Sequence, residues 1–334
     1  MQKIKILKGR IHYVDGINLF LSKKNKLFFS NDNGESWKLF AVLPASYLFK
    51  ILLNISPFSR LFRLGVHHLS FYKDYCIAIF NKEIFLIKNK VAEKIGDVSG
   101  SRPLITTFDS SGNYYYGEYR SNIQKGDISI HCFNINKKNW SIKHTFKDVR
   151  HVHGVFFDKY SESIWITTGD SDSESAIWNA DKNFKNLKKI KGGNQQFRCV
   201  QLIFTKDYIY FGSDDPKNKN FIYKMSRATN IVKKICKVGG PVFYGIKNKG
   251  KIFFSTSVEP GKLIRKEAEL WCSENGEEWI KIHSLKKDFL SMKYFQYGQI
   301  LFPSKIKNNN FLFFTGFATK KHNATHIVKT DQYS

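Results

Sequence analysis

Arginine is scarce in this chain, nine among 334 residues, yet Arg102, Arg150 and Arg198 fall 48 residues apart. A guanidinium grips a carboxylate or phosphate through two parallel hydrogen bonds. Three of them at equal phase in a repeating chain would surround one axis and hold one anion. Arg120, two residues after Glu118, joins them as an anion-binding candidate. Pairing to acids on neighbouring repeats is the alternative use of these cations. Acids recur in phase too: Glu118, Asp170, Asp214 and Glu259 each end the second strand pattern of a repeat. Carboxylates gathered at one mouth could act as general acid and base on a glycosidic bond, provided one pKa is raised toward neutrality. Their plainer role is to cap turns. Asp170-Ser171-Asp172-Ser173-Glu174 also reads as a solvated or calcium-binding turn. Arg150-His151-Val152-His153-Gly154 sets two imidazoles at i and i+2, on one face of a strand. They could bind a metal with a third ligand such as His67 or His68, move protons, or hydrogen-bond sugar hydroxyls. No cofactor is required by this reading; a divalent metal is the open alternative. Tyr244, in Gly240-Pro241-Val242-Phe243-Tyr244-Gly245, begins another strand.

The elements that position these groups are strands. Alternating apolar and polar runs recur every forty to fifty residues, at about 10–40, 66–96, 102–146, 150–190, 196–236, 240–283 and 292–330. Four strands in about forty-five residues make one propeller blade. The expected fold is all-β, a single β-propeller spanning 1–334 with seven blades, six being the alternative. Lys3-Ile4-Lys5-Ile6-Leu7 is expected to pair with the last repeat. One segment, 45–64, lacks strand alternation and reads as two short helices broken before Pro57. Its apolar residues with Arg60 and Arg63 nearby suit either a membrane interface or packing on the rim.

Two loops carry a resemblance. Ser30-Asn31-Asp32-Asn33-Gly34-Glu35-Ser36-Trp37 reads S-x-D-x-G-x-S-W, and Cys272-Ser273-Glu274-Asn275-Gly276-Glu277-Glu278-Trp279 repeats it with Glu for Asp. Weaker copies lie at Phe133–Trp140, which keeps the Trp and the spacing, and at Asn179–Asn183, which keeps the Asp. This resembles the Asp-box of sialidase-type (bacterial neuraminidase repeat) β-propellers, and the chain is also similar to sialidase-like propellers found with bacterial surface-polysaccharide genes. The resemblance implies an arginine cluster holding a sugar carboxylate, and a Tyr activated by Glu, for which Tyr244 and Glu259 are the pair. The N-terminal arginine motif of sialidases has no match; Arg102-Pro103 is the nearest string.

Composition narrows the partners. The net charge is +26, but 45 of the 54 basic residues are Lys scattered through turns, so a nucleic-acid partner is not expected. Five separated cysteines without a C-x-x-C read as reduced thiols, not as disulfides or a zinc site. No signal-like segment or long apolar run occurs, and a cytoplasmic monomer is expected, peripheral on the inner membrane face through 45–64. The function expected is a carbohydrate-active enzyme transferring or hydrolysing glycosidic bonds of an acidic or phosphate-linked glycan, lipid-linked or supplied as a nucleotide sugar, in surface-polysaccharide assembly. A glycan-binding propeller without catalysis, or a protein-docking scaffold, is the alternative.

Overall fold

Period-two runs of β-branched and aromatic residues become strands here because each such strand can bury both of its faces between neighbouring sheets. The strand Ser163–Gly169 shows how. Ile164 and Ile166 enter one core with Tyr115, Ile130 and Val155. Trp165, pointing the other way, enters a second core with Phe156, Leu202 and Phe211. The computed structural model describes residues 4–261, 265–307 and 309–333. They form two compact units: residues 98–243, and residues up to 97 together with 244 onward.

The 98–243 unit holds three four-stranded antiparallel sheets, each with its strands in chain order. The first runs Thr106–Phe108, Asn113–Gly117, Ile128–Asn134 and Asn139–Phe146. The second runs His151–Asp158, Ser163–Gly169, Ala176–Ala180 and Lys188–Gly192. The third runs Leu202–Phe204, Tyr208–Gly212, Asn220–Ser226 and Val232–Val238. In each sheet the fourth strand is the most exposed, and the second and third sheets end on lysine-bearing strands at the surface.

The other unit has the same grammar. Strands between Arg10 and Val42 form one sheet, which gains the short parallel strand Ile306–Lys307. Strands between Val66 and Asp97 form another. The repeats expected at 240–283 and 292–330 join into one eight-stranded sheet through Ser257 opposite Gln299 and Val258 opposite Gly298. Strand Lys5–Lys8 pairs antiparallel with Ala324–Lys329, as expected for the chain start. Helices Tyr47–Asn54 and Ser56–Leu61 occupy the segment without strand pattern. Ser46 caps the first, its hydroxyl accepting from the Phe49 N–H, and Pro57 sits in the first turn of the second.

Two bulges recur. Where a third strand pairs with a fourth, the register slips after an Ile or Leu and before an aromatic ring: Leu27/Phe28, Ile84/Phe85, Ile130/His131, Ile177/Trp178, Ile222/Tyr223 and Leu270/Trp271. Where a first strand pairs with a second, the skipped residue is His12, His67 or His153. A bulge turns a side chain out of the ladder's alternation. Three histidines therefore share one structural phase.

The Asp-box-like loops are hairpin caps. Asp32 Oδ1 accepts from the Ser30 hydroxyl at 2.7 Å and from the Glu35 and Ser36 N–H groups at 3.0 Å. Gly34, at φ +84°, lies against the Trp37 ring, where a Cβ would come within 3.2 Å. In the second loop the capping acceptor is Asn275, not Glu274: Asn275 Oδ1 takes the Glu277 and Glu278 N–H groups at 2.8 and 2.9 Å. Glu274 turns outward to an ion pair with Lys251. Asn275 stands two residues after Ser273, as Asp32 stands two after Ser30, so the loops align by that serine and the capping position falls on Asn275. All five cysteines are free thiols, and four are buried.

Candidate functional site

Asp170 is the hub of the 98–243 unit. It follows directly on strand Ser163–Gly169 and faces the start of strand His151–Asp158, where His151 pairs with Gly169. Its Oδ1 lies 3.1 Å from His151 Nε2, 3.3 Å from His153 Nε2 and 3.0 Å from an Arg198 amino group. Its Oδ2 lies 3.3 Å from Arg150. The bulge at His153 brings both imidazoles to one carboxylate. Gly169 makes the room: a Cβ there would stand 2.7 Å from His153 Cε1 and 3.3 Å from Arg198 Cγ.

The imidazoles are held from behind. His151 Nδ1 lies 3.3 Å from the Arg120 carbonyl oxygen, and His153 Nδ1 lies 3.3 Å from the Cys199 carbonyl oxygen. A neutral imidazole has one N–H and one lone pair. If Nδ1–H donates to the carbonyl, the Nε2 lone pair faces the carboxylate. If Nε2–H donates to the carboxylate, the Nδ1 lone pair faces a carbonyl. Each neutral tautomer leaves one repulsive contact per ring. A second proton would remove it, but burial pushes His153 down to about 4. A cation shared by the two Nε2 atoms and Oδ1 also removes it, and carbonyl-bound Nδ1–H groups are the usual second layer of a metal-ligating histidine. Ligands at about 2.1 Å from a divalent ion and at right angles to one another lie roughly 3 Å apart. The two Nε2–Oδ1 spacings match this. Among the described residues, His151, His153 and Asp170 are the His, Cys, Asp and Glu group whose donor atoms converge in this way, all within 4.8 Å. The residues present fit a divalent metal.

The acids of the site are pushed in opposite directions. Burial works against ionised Asp170, but the His151 and His153 imidazoles beside it outweigh burial and hold the carboxyl well below the usual range. Asp170 therefore stays a carboxylate and does not serve as a general acid. Asp214, buried at 2 % exposure, is pushed up to about 7 by burial; Arg198 opposes the shift and Asp170 adds to it. Its Oδ2 lies 3.3 Å from Arg198 Nε, while its buried Oδ1 has no hydrogen-bond partner.

The expectation of three arginines open to an anion is corrected in part. Arg198 is tied to Asp170 and Asp214, because it sits between two carboxylates on adjacent strand ends. Arg150 also touches Asp170 but keeps 38 % of its side chain exposed, so it still faces solvent. Arg102 is half-buried, one residue after Ser101, whose N–H donates to the Tyr119 carbonyl. Glu118 belongs to a separate knot. It accepts from His131 and from the Ser99 hydroxyl, each at 2.7 Å, with Arg120 3.8 Å away. Burial would raise its pKa, and those hydrogen bonds outweigh burial and lower it. The calcium-turn reading fails as well. Asp172 accepts from Gln195, and Glu174 accepts from the Arg150 and Ser171 N–H groups, so the turn's acids do not converge. The third group brought to the histidine pair is Asp170, not His67 or His68, which belong to the other unit.

Tyr244 and Glu259 also lie in that other unit. The Tyr244 carbonyl accepts from the Ser255 hydroxyl, and Arg10, pushed down to about 10 by burial, stands near the Tyr244 ring. Glu259 is buried just past strand Lys251–Val258. Sequence reasoning missed Tyr119, whose ring lies 4.3 Å from that of His151, and Arg10; neither stands in a motif or at the arginine spacing.

No protein-family description matches this sequence, and no curated protein matches it. Solved structures do. An oligogalacturonate lyase in complex with manganese aligns with 9 % identity over all of both chains, with a TM-score of 0.63. The oligogalacturonate lyase of Vibrio parahaemolyticus aligns with 10 % identity over 99 % of this chain and 93 % of its own, with a TM-score of 0.64. The GH74 enzyme of Niastella koreensis aligns with 14 % identity over 82 % of this chain and 46 % of its own, with a TM-score of 0.52. At these identities the likeness is one of fold, an all-β propeller type.

Proposed function

We propose that this protein is a carbohydrate-active enzyme that cleaves glycosidic bonds of an acidic, carboxylate-bearing glycan, with a divalent metal held by His151, His153 and Asp170. The observation that carries this reading is the pair of imidazoles whose Nδ1 atoms face carbonyls while both Nε2 atoms face one carboxylate. It is supported by neighbours whose names state an acidic sugar polymer and manganese. Seven four-stranded blades, with the last two sharing a sheet, are the fold that goes with it.

The chemistry a divalent cation supplies at these atoms is polarisation of an anionic sugar oxygen. The chain's own groups do the rest. Arg150, exposed beside Asp170, pairs with the sugar carboxylate. Tyr119, half-buried, packs its ring 4.3 Å from that of buried His151 and helps hold that imidazole in place. Arg198 is a positioning residue that fixes Asp170. Asp214, able to hold or release a proton near neutral pH, sets the charge around Arg198.

Turnover of oligogalacturonides with manganese tests the proposal, read both as ultraviolet absorbance of an unsaturated end and as new reducing ends. Both signals together mean elimination; reducing ends alone mean hydrolysis. Asp170→Asn should abolish turnover and lower manganese affinity at least about tenfold. Manganese binding without cleavage of any acidic glycan would leave a glycan-binding protein. No manganese binding would remove the proposed centre.

A further inference from the structure

The 98–243 unit carries the site above; the other unit carries an apolar surface with no cover. The two short helices expose Tyr47 at 80 %, Leu48 at 62 % and Phe62 at 56 %, together with Phe49, Ile51, Ile55 and Phe58. A second segment adjoins them. Buried Arg60, on the second helix, forms an ion pair with Asp288 and donates through Nε to the Phe295 carbonyl at 3.0 Å. Phe289, next to Asp288, is 94 % exposed, and Tyr294 and Tyr297 are exposed a few residues on. Arg60 thus spends its charge inward to hold two apolar segments side by side.

The exposed charges on these two segments have one sign. Between Glu35 and Asp74 the sequence holds no acidic residue. Lys50 and Arg63 on the helical segment and Lys293 on the other are exposed. Asp288 is taken up by Arg60 and Lys287. Apolar and aromatic side chains that project singly, set beside exposed cations, match the acyl and headgroup layers of an anionic bilayer. No helix among the described residues is long and apolar enough to cross a membrane, so the geometry is that of a surface contact.

We propose that helices 47–54 and 56–61, with the segment 288–297, dock this protein on the surface of an anionic phospholipid bilayer. Catalysis at Asp170 plays no part in this inference, which fails or stands separately from the proposed activity.

Flotation of the full chain with vesicles tests it. Vesicles of phosphatidylglycerol and phosphatidylcholine should carry the protein up, and phosphatidylcholine alone should carry far less. A chain of net charge +26 meets any anionic surface, so the deciding variant is a serine pair that leaves charge unchanged. Leu48→Ser with Phe289→Ser should cut the bound fraction about tenfold. Lys50→Ala with Arg63→Ala should cut it by a similar factor. Both pairs are exposed, so unchanged circular dichroism and melting temperature serve as the folding control. Absence of flotation, or flotation indifferent to the serine pair, overturns the proposal. So does a concentration-dependent dimer lost in the serine variant, which would assign the surface to a second copy of the chain.

Discussion

At the residue scale, the site depends on a glycine as much as on its ligands. Gly169 lets the His153 ring lie over the second strand, and a methyl group there would collide with it at 2.7 Å. His153 is held by a carbonyl behind and a carboxylate in front, so it cannot retreat without losing one of them. Gly169→Ala should therefore lower manganese affinity by about ten- to a hundredfold, while far-UV circular dichroism stays unchanged. Calorimetric titration with manganese measures it. Unchanged affinity would show that the ring moves freely, and that its placement does not define the centre. The meeting of His151 and His153 was expected from i and i+2 sharing a strand face; the structure reaches it through the bulge at His153. That the third partner is Asp170 was not legible, since seventeen residues and a strand turn separate it from His153.

At the element scale, a buried ion pair helps to stitch neighbouring sheets of the 98–243 unit. Asp158 ends strand His151–Asp158 with no exposed surface, and Arg227 reaches it from beyond strand Asn220–Ser226 at 2.6 Å. Arg227 also donates to the Thr205 carbonyl at 2.8 Å. Removing one partner of a buried pair strands the other's charge in a site without water. Arg227→Ala should cost about 3 kcal/mol in denaturant unfolding. Arg227→Ala combined with Asp158→Asn should recover part of that loss. A double variant less stable than the single one would mean that Asp158 acts through its Tyr160 and Ser161 hydrogen bonds instead. The strands themselves follow from period-two patterning and turn residues. The bulges at Leu27/Phe28 and its five counterparts did not stand out, because an aliphatic residue followed by a ring is ordinary in any strand.

At the scale of the whole molecule, buried Asp214 ties stability to pH. Its carboxyl is pushed up to about 7 from 3.8. Between those values the folded chain keeps a proton that the unfolded chain has released. The group's contribution to stability therefore falls as pH rises, and its full cost is felt above about 7. Asp214→Asn removes this cost and can still accept from Arg198. Melting temperatures at about pH 5 and about pH 8 should show the wild type losing ground to the variant at the higher value. Parallel behaviour of the two chains would show that Asp214 is ionised throughout. This carboxyl was legible as a strand-end acid but not as a neutralised one, because the shift comes from burial and from Asp170 on the neighbouring sheet.

The sequence by itself determined the all-β class, the bounds of the repeats, the helical break at 45–64 and the importance of the Arg150–His153 string. These depend on local periodicity and turn chemistry, which neighbouring residues carry. Tertiary structure alone decided the pairings. It set Asp170 among two imidazoles and two guanidiniums, turned Glu118 to His131, gave the second hairpin cap to Asn275 instead of Glu274, and spent Arg60 on Asp288. Partners of a charge are fixed by which strand ends meet in space and how far water is excluded there, and neither is written in the spacing of residues along the chain.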